Sequence, residues 1–192
     1  MAIEYRITLD DDHEFSYCIE LDRLYDPVAA SAAPKWTRLE HQQCSNCPLS
    51  KDNFSHCPAA VDLHQVIGDF HGLPAFTKAL VWVRTPEREY TKQVGLEEGL
   101  RSLLGVIMAT SACPVLGRLK PMAHNHLPFA NNQEFALRAV SLYLTEQYFN
   151  SREGRPADWE LKGLVQQFQQ LQLVNQAFWQ RIHDVCEGDS NL

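Results

Sequence analysis

Four cysteines of this chain have a spacing that could support metal chemistry: Cys44, Cys47, Cys57 and Cys113. Cys44 and Cys47 form a C-x2-C pair, which can grip one metal ion because a tight turn directs both sulfurs to the same point. Cys57 and Cys113 could then complete a set of four thiolate ligands. The spacing therefore predicts a metal centre held by these four cysteines.

Proline follows three of these cysteines, at Pro48, Pro58 and Pro114. Because proline suits the first position of a helix, Cys57 and Cys113 are expected at helix N-caps, where free amides favour the thiolate that a metal requires. Zinc and an iron–sulfur cluster both fit four thiolates. The chain lacks the C-x2-C-x2-C-x3-C-P run of bacterial ferredoxins, and zinc-ribbon knuckles usually have glycine where this chain has Pro48. The metal thus stays undecided between the two.

Three other interpretations of the thiols remain open. A redox dithiol at Cys44 and Cys47 would need a preceding strand and an amphipathic helix directly after it, and neither is evident. Free cysteines are most often small buried apolar residues, which suits Cys18 and Cys186 better than a C-x2-C pair in a polar loop. A single nucleophilic cysteine paired with a histidine is the last interpretation, and no spacing singles it out.

Three histidines are alternates for one of the four ligand positions: His56, His124 and His126. In an extended segment, residues two apart project to the same side, so His124 and His126 could face one ion. A metal-dependent enzyme with an open coordination position near these two histidines is the alternative function, since three protein ligands plus water are typical of catalytic zinc. No catalytic residue is assigned, and the motifs of zincins, di-iron bundles, P-loop enzymes and serine hydrolases are absent.

Length and charge exclude several classes of function. The length of 192 residues suits a single domain over residues 1–192. The formal net charge is −7. Phosphate binding needs clustered Lys and Arg, so no nucleic-acid partner is expected. The first residues have neither a basic nor a long apolar run, so we expect no secretory signal and a reducing cytoplasm, where thiols stay free or bind metal. The most apolar stretch, residues 103–116, is too short to span a membrane.

Alternating apolar and polar residues predict two β-hairpins that pair into one small antiparallel sheet. The first lies in residues 1–35 together with an acidic segment. Residues 36–192 should contain the cysteine-rich loop, the second hairpin between about Leu80 and Lys92, and a helical body. The predicted fold class is therefore α+β, a mostly helical body with a small antiparallel β layer.

Helices are expected after Pro58, after Gly95, over residues 135–149 and over residues 158–186. The third of these is apolar nearly all round, so it is expected at the centre of the domain. The last helix has apolar residues at alternating steps of three and four, which is the a/d spacing of a helix seam, with Asn175 at an a position.

The width of the apolar stripe on this last helix bears on its partner. Val165, Val174 and Trp179 make it wider than a two-stranded seam, which favours packing within its own domain. A monomer is therefore expected. A homodimer through this helix, as part of a metal-free interaction module, is the third functional alternative.

Several short segments resemble an uncharacterised bacterial family, a domain of unknown function. They are Cys-x-x-Cys-Pro-Leu, His-Cys-Pro-Ala-Ala, Glu87-Arg88-x-Tyr90, Gly99-Leu100-x-Ser102-Leu103-Leu104-Gly105, Met108-Ala109, Cys113-Pro114 and His126-Leu127-Pro128-Phe129. The resemblance spans the chain from Trp36 to about Phe178. It implies a cytosolic bacterial origin and carries no known activity.

Overall fold

The computed structural model describes residues 1–10 and 12–188 of the chain, with side chains described up to residue 185. The fold is α+β, as predicted. The strands are β1 (Ala2–Leu9), β2 (Glu14–Glu20), β3 (Lys78–Arg84) and β4 (Glu89–Gly95). The helices are α1 (Pro27–Ala32), α2 (Pro58–Asp69), α3 (Leu96–Thr110), α4 (Lys120–His124), α5 (Asn132–Arg152) and α6 (Lys162–Gly188). Short 3-10 turns lie at Lys35–Thr37 and Leu116–Leu119.

The two predicted hairpins form one antiparallel sheet of order β2-β1-β3-β4. They meet where β1 pairs with β3, with Ile7 opposite Val81. One face of the sheet is buried, through Ile3, Tyr5 and Ile7 of β1 and through Val81 and Val83 of β3. Alternate residues of these strands point to the other face, because successive side chains of a strand project in opposite directions. Cys18 of β2 is exposed, so it is not the small buried apolar residue suggested by the sequence, because it lies on the face of β2 that points away from the core.

Helices α2 and α3 supply most of the apolar core that packs with the sheet. Pro58 begins α2 as predicted, and Leu63 and Val66 are buried. Leu103 and Ile107 of α3 join the same cluster. These two helices bring the residues next to Cys57 and Cys113 close to the core.

The expectation that the helix over residues 135–149 is central is wrong. Of the side chains in α5, only Ala139 and Gln147 are buried. Leu137 is 68% exposed and Tyr148 is 51% exposed. Helices α2 and α3 already contribute the core that packs with the sheet, so α5 lies outside it. An apolar pattern alone does not say whether a helix is covered by its own domain.

Helix α6 packs into its own chain, as the wider stripe predicted, through Leu171, Val174 and Phe178. Two residues that were expected to widen the stripe do not contribute to it. Val165 is 55% exposed and Trp179 is 64% exposed. Asn175 is also exposed, because the buried stripe follows the 3.6-residue period of the helix and leaves this a position on the outer side. The side chain of Cys186 lies outside the described residues.

None of the helices in the described part of the chain combines the length and the apolar character needed to cross a membrane.

Gly99 marks the closest approach between α3 and the sheet. A Cβ atom at this position would lie 2.8 Å from Cγ2 of Val81, whereas Gly105 of the same helix has nothing within 4 Å of such an atom. We expect Gly99→Ala to be less stable than Gly105→Ala by about 1–3 kcal/mol, because the fully buried, β-branched Val81 has little freedom to move. Comparing the two free energies of unfolding by urea denaturation cancels the helix preference of alanine, which both variants share. Equal stabilities would contradict this packing.

Candidate metal centre

The four cysteines of the predicted centre line a single cavity. The cavity has a volume of about 20 Å³ and is lined by Cys44, Cys47, Cys57 and Cys113. The other lining residues are apolar: Pro48, Leu49, Pro58, Ala59, Val115, Leu116, Val174 and Phe178. The structure thus brings together four cysteines from the loop before α2, the start of α2 and the segment after α3. Helix α6 contributes only apolar side chains to this cavity.

Backbone hydrogen bonds fix the segments that carry the cysteines. The N–H of Cys47 donates to the carbonyl of Cys44 at 3.0 Å, which closes the turn that the C-x2-C pair needs. The N–H of Cys57 donates to the carbonyl of Thr37 at 2.8 Å, and Thr37 is fully buried. The carbonyl of Cys113 accepts from Gly117 at 2.8 Å. Each sulfur is therefore attached to a backbone that is held in place.

Two of the cysteines lie where backbone amides favour a thiolate. Cys57 is the N-cap residue of α2, as predicted. The amides of Ala59 and Ala60 act to lower the pKa of its thiol, although α2 has no side-chain cap hydrogen bond. Cys113 was expected at a helix N-cap, but only the short 3-10 turn Leu116–Leu119 follows it. The amides of Leu116 and Val115 act to lower the pKa of the Cys113 thiol, as the amides of α2 do for Cys57.

Burial outweighs this effect in the metal-free chain. It raises the pKa of Cys44 to about 11. Burial also raises the pKa of Cys57 and of Cys113 above the ordinary value of a thiol. These three thiols are consequently neutral near pH 7, which is the opposite of what a nucleophile or a reactive dithiol requires. A metal ion would have to displace their protons.

A buried arginine lies beside the cavity, and sequence reasoning did not find it. Arg181 of α6 is 2% exposed. Its guanidinium donates to the carbonyls of Trp36 at 2.6 Å, Arg38 at 2.8 Å and Leu39 at 3.4 Å. Against the larger effect of burial, its positive charge acts to lower the pKa of the Cys57 thiol. The thiols of Cys57, Cys44 and Cys47 act to raise the pKa of Arg181, which burial lowers.

The sequence did contain a signal for Arg181. Leu171, Val174, Phe178 and Arg181 follow one another at steps of three and four, so the arginine continues the buried stripe of α6. A charged residue on the apolar face of a helix requires a buried partner. Among the described residues, no carboxylate forms an ion pair with Arg181, whereas the thiols of three cysteines lie close enough to interact with it.

Helix α6 is also bound to the cysteine loop by polar contacts at the surface. The side-chain amide of Asn46 donates to the carbonyl of Gln170 at 3.0 Å and to its side-chain oxygen at 2.8 Å. The amide of Gln42 donates to Asp184 at 2.9 Å. Contacts on both sides of Arg181 therefore hold α6 over the cavity.

The three alternate histidines do not line this cavity. His56 is half-buried and contacts the hydroxyl of Ser55 through Nδ1. The Nε2 of His124 lies 3.9 Å from a carboxylate oxygen of Asp22. His126 binds the hydroxyl of the buried Tyr5 through Nε2, so the two histidines of this segment have separate partners.

His126 belongs to a second polar cluster, under the sheet. The hydroxyl of Tyr5 contacts both Nε2 of His126 and the hydroxyl of Ser102, the latter at 2.8 Å. Burial and the nearby charge of Arg138 lower the pKa of His126 to about 4. The imidazole is therefore neutral at physiological pH.

Within the described part of the chain, no group of three or more His, Cys, Asp or Glu side chains is arranged so that it could hold a metal ion as it stands. The four thiols share a cavity but are not gathered around one point. A metal centre in this cavity would therefore require the thiols to move toward it.

Comparison with known proteins gives a family and no activity. A family model described as a domain of unknown function, DUF6901, matches residues 3–192. The chain belongs to this uncharacterised family. This agrees with the resemblance seen in the sequence and extends it toward both termini. No curated protein and no solved structure matches the chain.

Replacing Arg181 should destabilise the chain strongly. Arg181→Met would leave three buried carbonyls without their donor, so we expect the free energy of unfolding to fall by about 3 kcal/mol or more. Arg181→Lys keeps the charge but cannot reproduce the planar donor geometry, so it should recover only part of the loss. Urea denaturation with and without chelator measures the effect.

The matched control for Arg181 is Lys162→Met, at the exposed start of the same helix. It should change stability by less than about 0.5 kcal/mol. A loss below about 1 kcal/mol for Arg181→Met would contradict a structural role for the guanidinium.

Acid should weaken the fold through His126. The unfolded chain binds a proton at this residue below about pH 6.5, but the folded chain does so only below about pH 4. Stability from this source is therefore complete above pH 6.5 and is lost as the pH falls toward 4, by at most about 3 kcal/mol. Asp62 acts in the opposite direction, because burial raises its pKa to about 6.

His126→Gln separates these two contributions, because glutamine can still accept from Tyr5 but does not titrate. We expect its free energy of unfolding to fall less than that of the wild type between pH 6.5 and pH 4.5. His71→Gln, at an exposed residue of the described chain, serves as the control and should follow the wild type. If all three proteins show the same pH dependence in urea denaturation, His126 does not carry it.

Proposed function

We propose that this protein binds a metal centre through Cys44, Cys47, Cys57 and Cys113, in a structural or sensory role. The observation that carries the proposal is the single cavity lined by these four residues, although Cys113 lies far from the other three in the sequence. The remaining lining is apolar, so a centre placed there would be shielded from water. Metal–thiolate bonds are stable in such surroundings, and the apolar shell also limits access by other ligands.

The groups around the cavity would stabilise the thiolates that form when a metal displaces the protons of the buried cysteines. Amides at the starts of two helical segments act on Cys57 and Cys113, and the Arg181 guanidinium acts on Cys57. A centre with four thiolates carries net negative charge, which these groups offset. Neutral cysteines in an apolar core would not need a buried guanidinium beside them, and placing one there is costly.

The proposal covers both zinc and an iron–sulfur cluster. Zinc bonds each sulfur at about 2.3 Å, so the four ligands of one tetrahedral ion lie within about 4 Å of one another. The thiolates of a cluster bind different iron atoms and therefore stand farther apart. Among the described residues no three ligand side chains are already gathered for one ion, so either centre would require the thiols to rearrange around it.

The enzyme alternative has less support. His124 and His126 have other partners and do not line the cavity, so neither lies beside an open metal position. With four cysteines as ligands, the centre is of the closed, structural kind. The five cysteines whose side chains are described are all free, which fits the reducing cytoplasm in which we place the protein.

Serine substitutions test the ligand set. We expect serine at Cys44, Cys47, Cys57 or Cys113 to reduce the metal content by at least half, because a neutral hydroxyl is a poor substitute for a thiolate. The measurement is elemental analysis for iron and zinc, with assay of acid-labile sulfide and an absorption spectrum, on protein purified without oxygen. An iron–sulfur cluster gives a brown protein, whereas zinc gives no colour.

Cys18→Ser is the matched control, since Cys18 is exposed on β2 and does not line the cavity. Its metal content should equal that of the wild type. Stoichiometric zinc without iron would identify the centre as zinc, and iron with acid-labile sulfide would identify it as a cluster. Folded wild-type protein without either metal, with four thiols that titrate freely, would overturn the metal centre altogether.

A further inference from the structure

Helix α5 carries a stripe on the side that faces away from the domain, with apolar residues along its length and a charged residue at each end. The stripe runs along one face at steps of three and four and consists of Glu134, Leu137, Ser141, Leu144, Tyr148 and Arg152. Leu137 is 68% exposed and Tyr148 is 51% exposed, while Leu144 is half-buried. Apolar residues at this spacing form the contact seam of paired helices.

We propose that two copies of this chain associate through this face, with their α5 helices antiparallel. The proposal is independent of the cysteine centre. A two-fold symmetric contact uses the same surface on both copies, so the stripe must be complementary to itself. In the antiparallel arrangement Glu134 of one copy lies opposite Arg152 of the other, and Leu137 lies opposite Tyr148.

The charges at the two ends of the stripe select this arrangement. In a parallel pair, Glu134 would face Glu134 and Arg152 would face Arg152, and both contacts would be repulsive. In the antiparallel pair both become attractive. Neither residue forms an ion pair with another described residue of its own chain, although the Glu134 carboxylate accepts from the backbone N–H of Asn131 and interacts with the charge of Arg138.

The residues at the midpoint of the stripe and the capped start of α5 also fit a helix pair. Ser141 lies opposite Leu144 near the midpoint, and a small residue beside a large one lets two helices approach closely. A capping box, in which Asn131 and Glu134 exchange hydrogen bonds of 2.8 and 2.9 Å, defines the start of the helix. The stripe is therefore presented on a formed helix.

Light scattering of the full chain from low to high micromolar concentration tests the proposal. The wild type should be a dimer at the upper end of this range. Tyr148→Glu should weaken dimerisation by roughly a hundredfold or more, because it places a charge against the apolar Leu137 of the other copy in both symmetric halves of the contact. Since Tyr148 is exposed, circular dichroism should show an unchanged fold.

Trp179→Glu, at an exposed residue of α6, is the matched control and should dimerise like the wild type. A wild type that is monomeric at every concentration would overturn the proposal. A dimer that is lost in Trp179→Glu but not in Tyr148→Glu would overturn it too, and would assign the contact to α6.

Two charge variants test the antiparallel arrangement, because in a parallel pair the like end residues already repel and a single charge reversal would not weaken the dimer further. Glu134→Arg alone and Arg152→Glu alone should each dimerise poorly, because like charges then face each other at both ends. An equimolar mixture of the two should dimerise again, since every end pair becomes attractive. If the single variants dimerise as well as the wild type, the ends of α5 are not in the contact.

Discussion

The guanidinium of Arg181 is the contact on which the region around the cysteines depends. It reaches from α6 into the protein and donates to three carbonyls of the segment formed by residues 36–39. The same segment accepts the N–H of Cys57 through Thr37, so the arginine, the start of α2 and the cysteine loop form one connected unit. Because an unpaired charge is costly in an apolar interior, the position of α6 and the electrostatics of the thiols are not independent of each other.

The sheet and the helices packed with it fix the position of the start of α2 and of the end of α3. Cys57 lies immediately before α2 and Cys113 shortly after α3, so the relative placement of these two helices sets the distance between two of the sulfurs. Gly99 allows α3 to lie directly against Val81, and a larger residue would shift the segment that carries Cys113. The core thereby determines the width of the cavity, and this width bears on the choice between one metal ion and a cluster.

Much of the fold followed from local pattern. The two hairpins, the start of α2 at Pro58 and the start of α5 after Asn131 were predictable because they depend on alternation and on capping residues near in sequence. The position of α5 was not, since the residues that occupy the core come from α2, α3 and the sheet. For the candidate centre, the four cysteines could be named from spacing, but the exclusion of the histidines depended on partners far away in the sequence, such as Tyr5 for His126.

The sequence by itself determined the kinds of element and the set of thiols available for chemistry, because helix and strand periods, proline positions and C-x2-C spacing are properties of neighbouring residues. Only the tertiary structure decided which of those residues meet. It placed Arg181 beside the thiols, turned Trp179 and Asn175 outward and left the stripe of α5 uncovered. These outcomes depend on how elements compete for one core, and that competition is settled by packing between residues distant in the chain rather than by any local pattern.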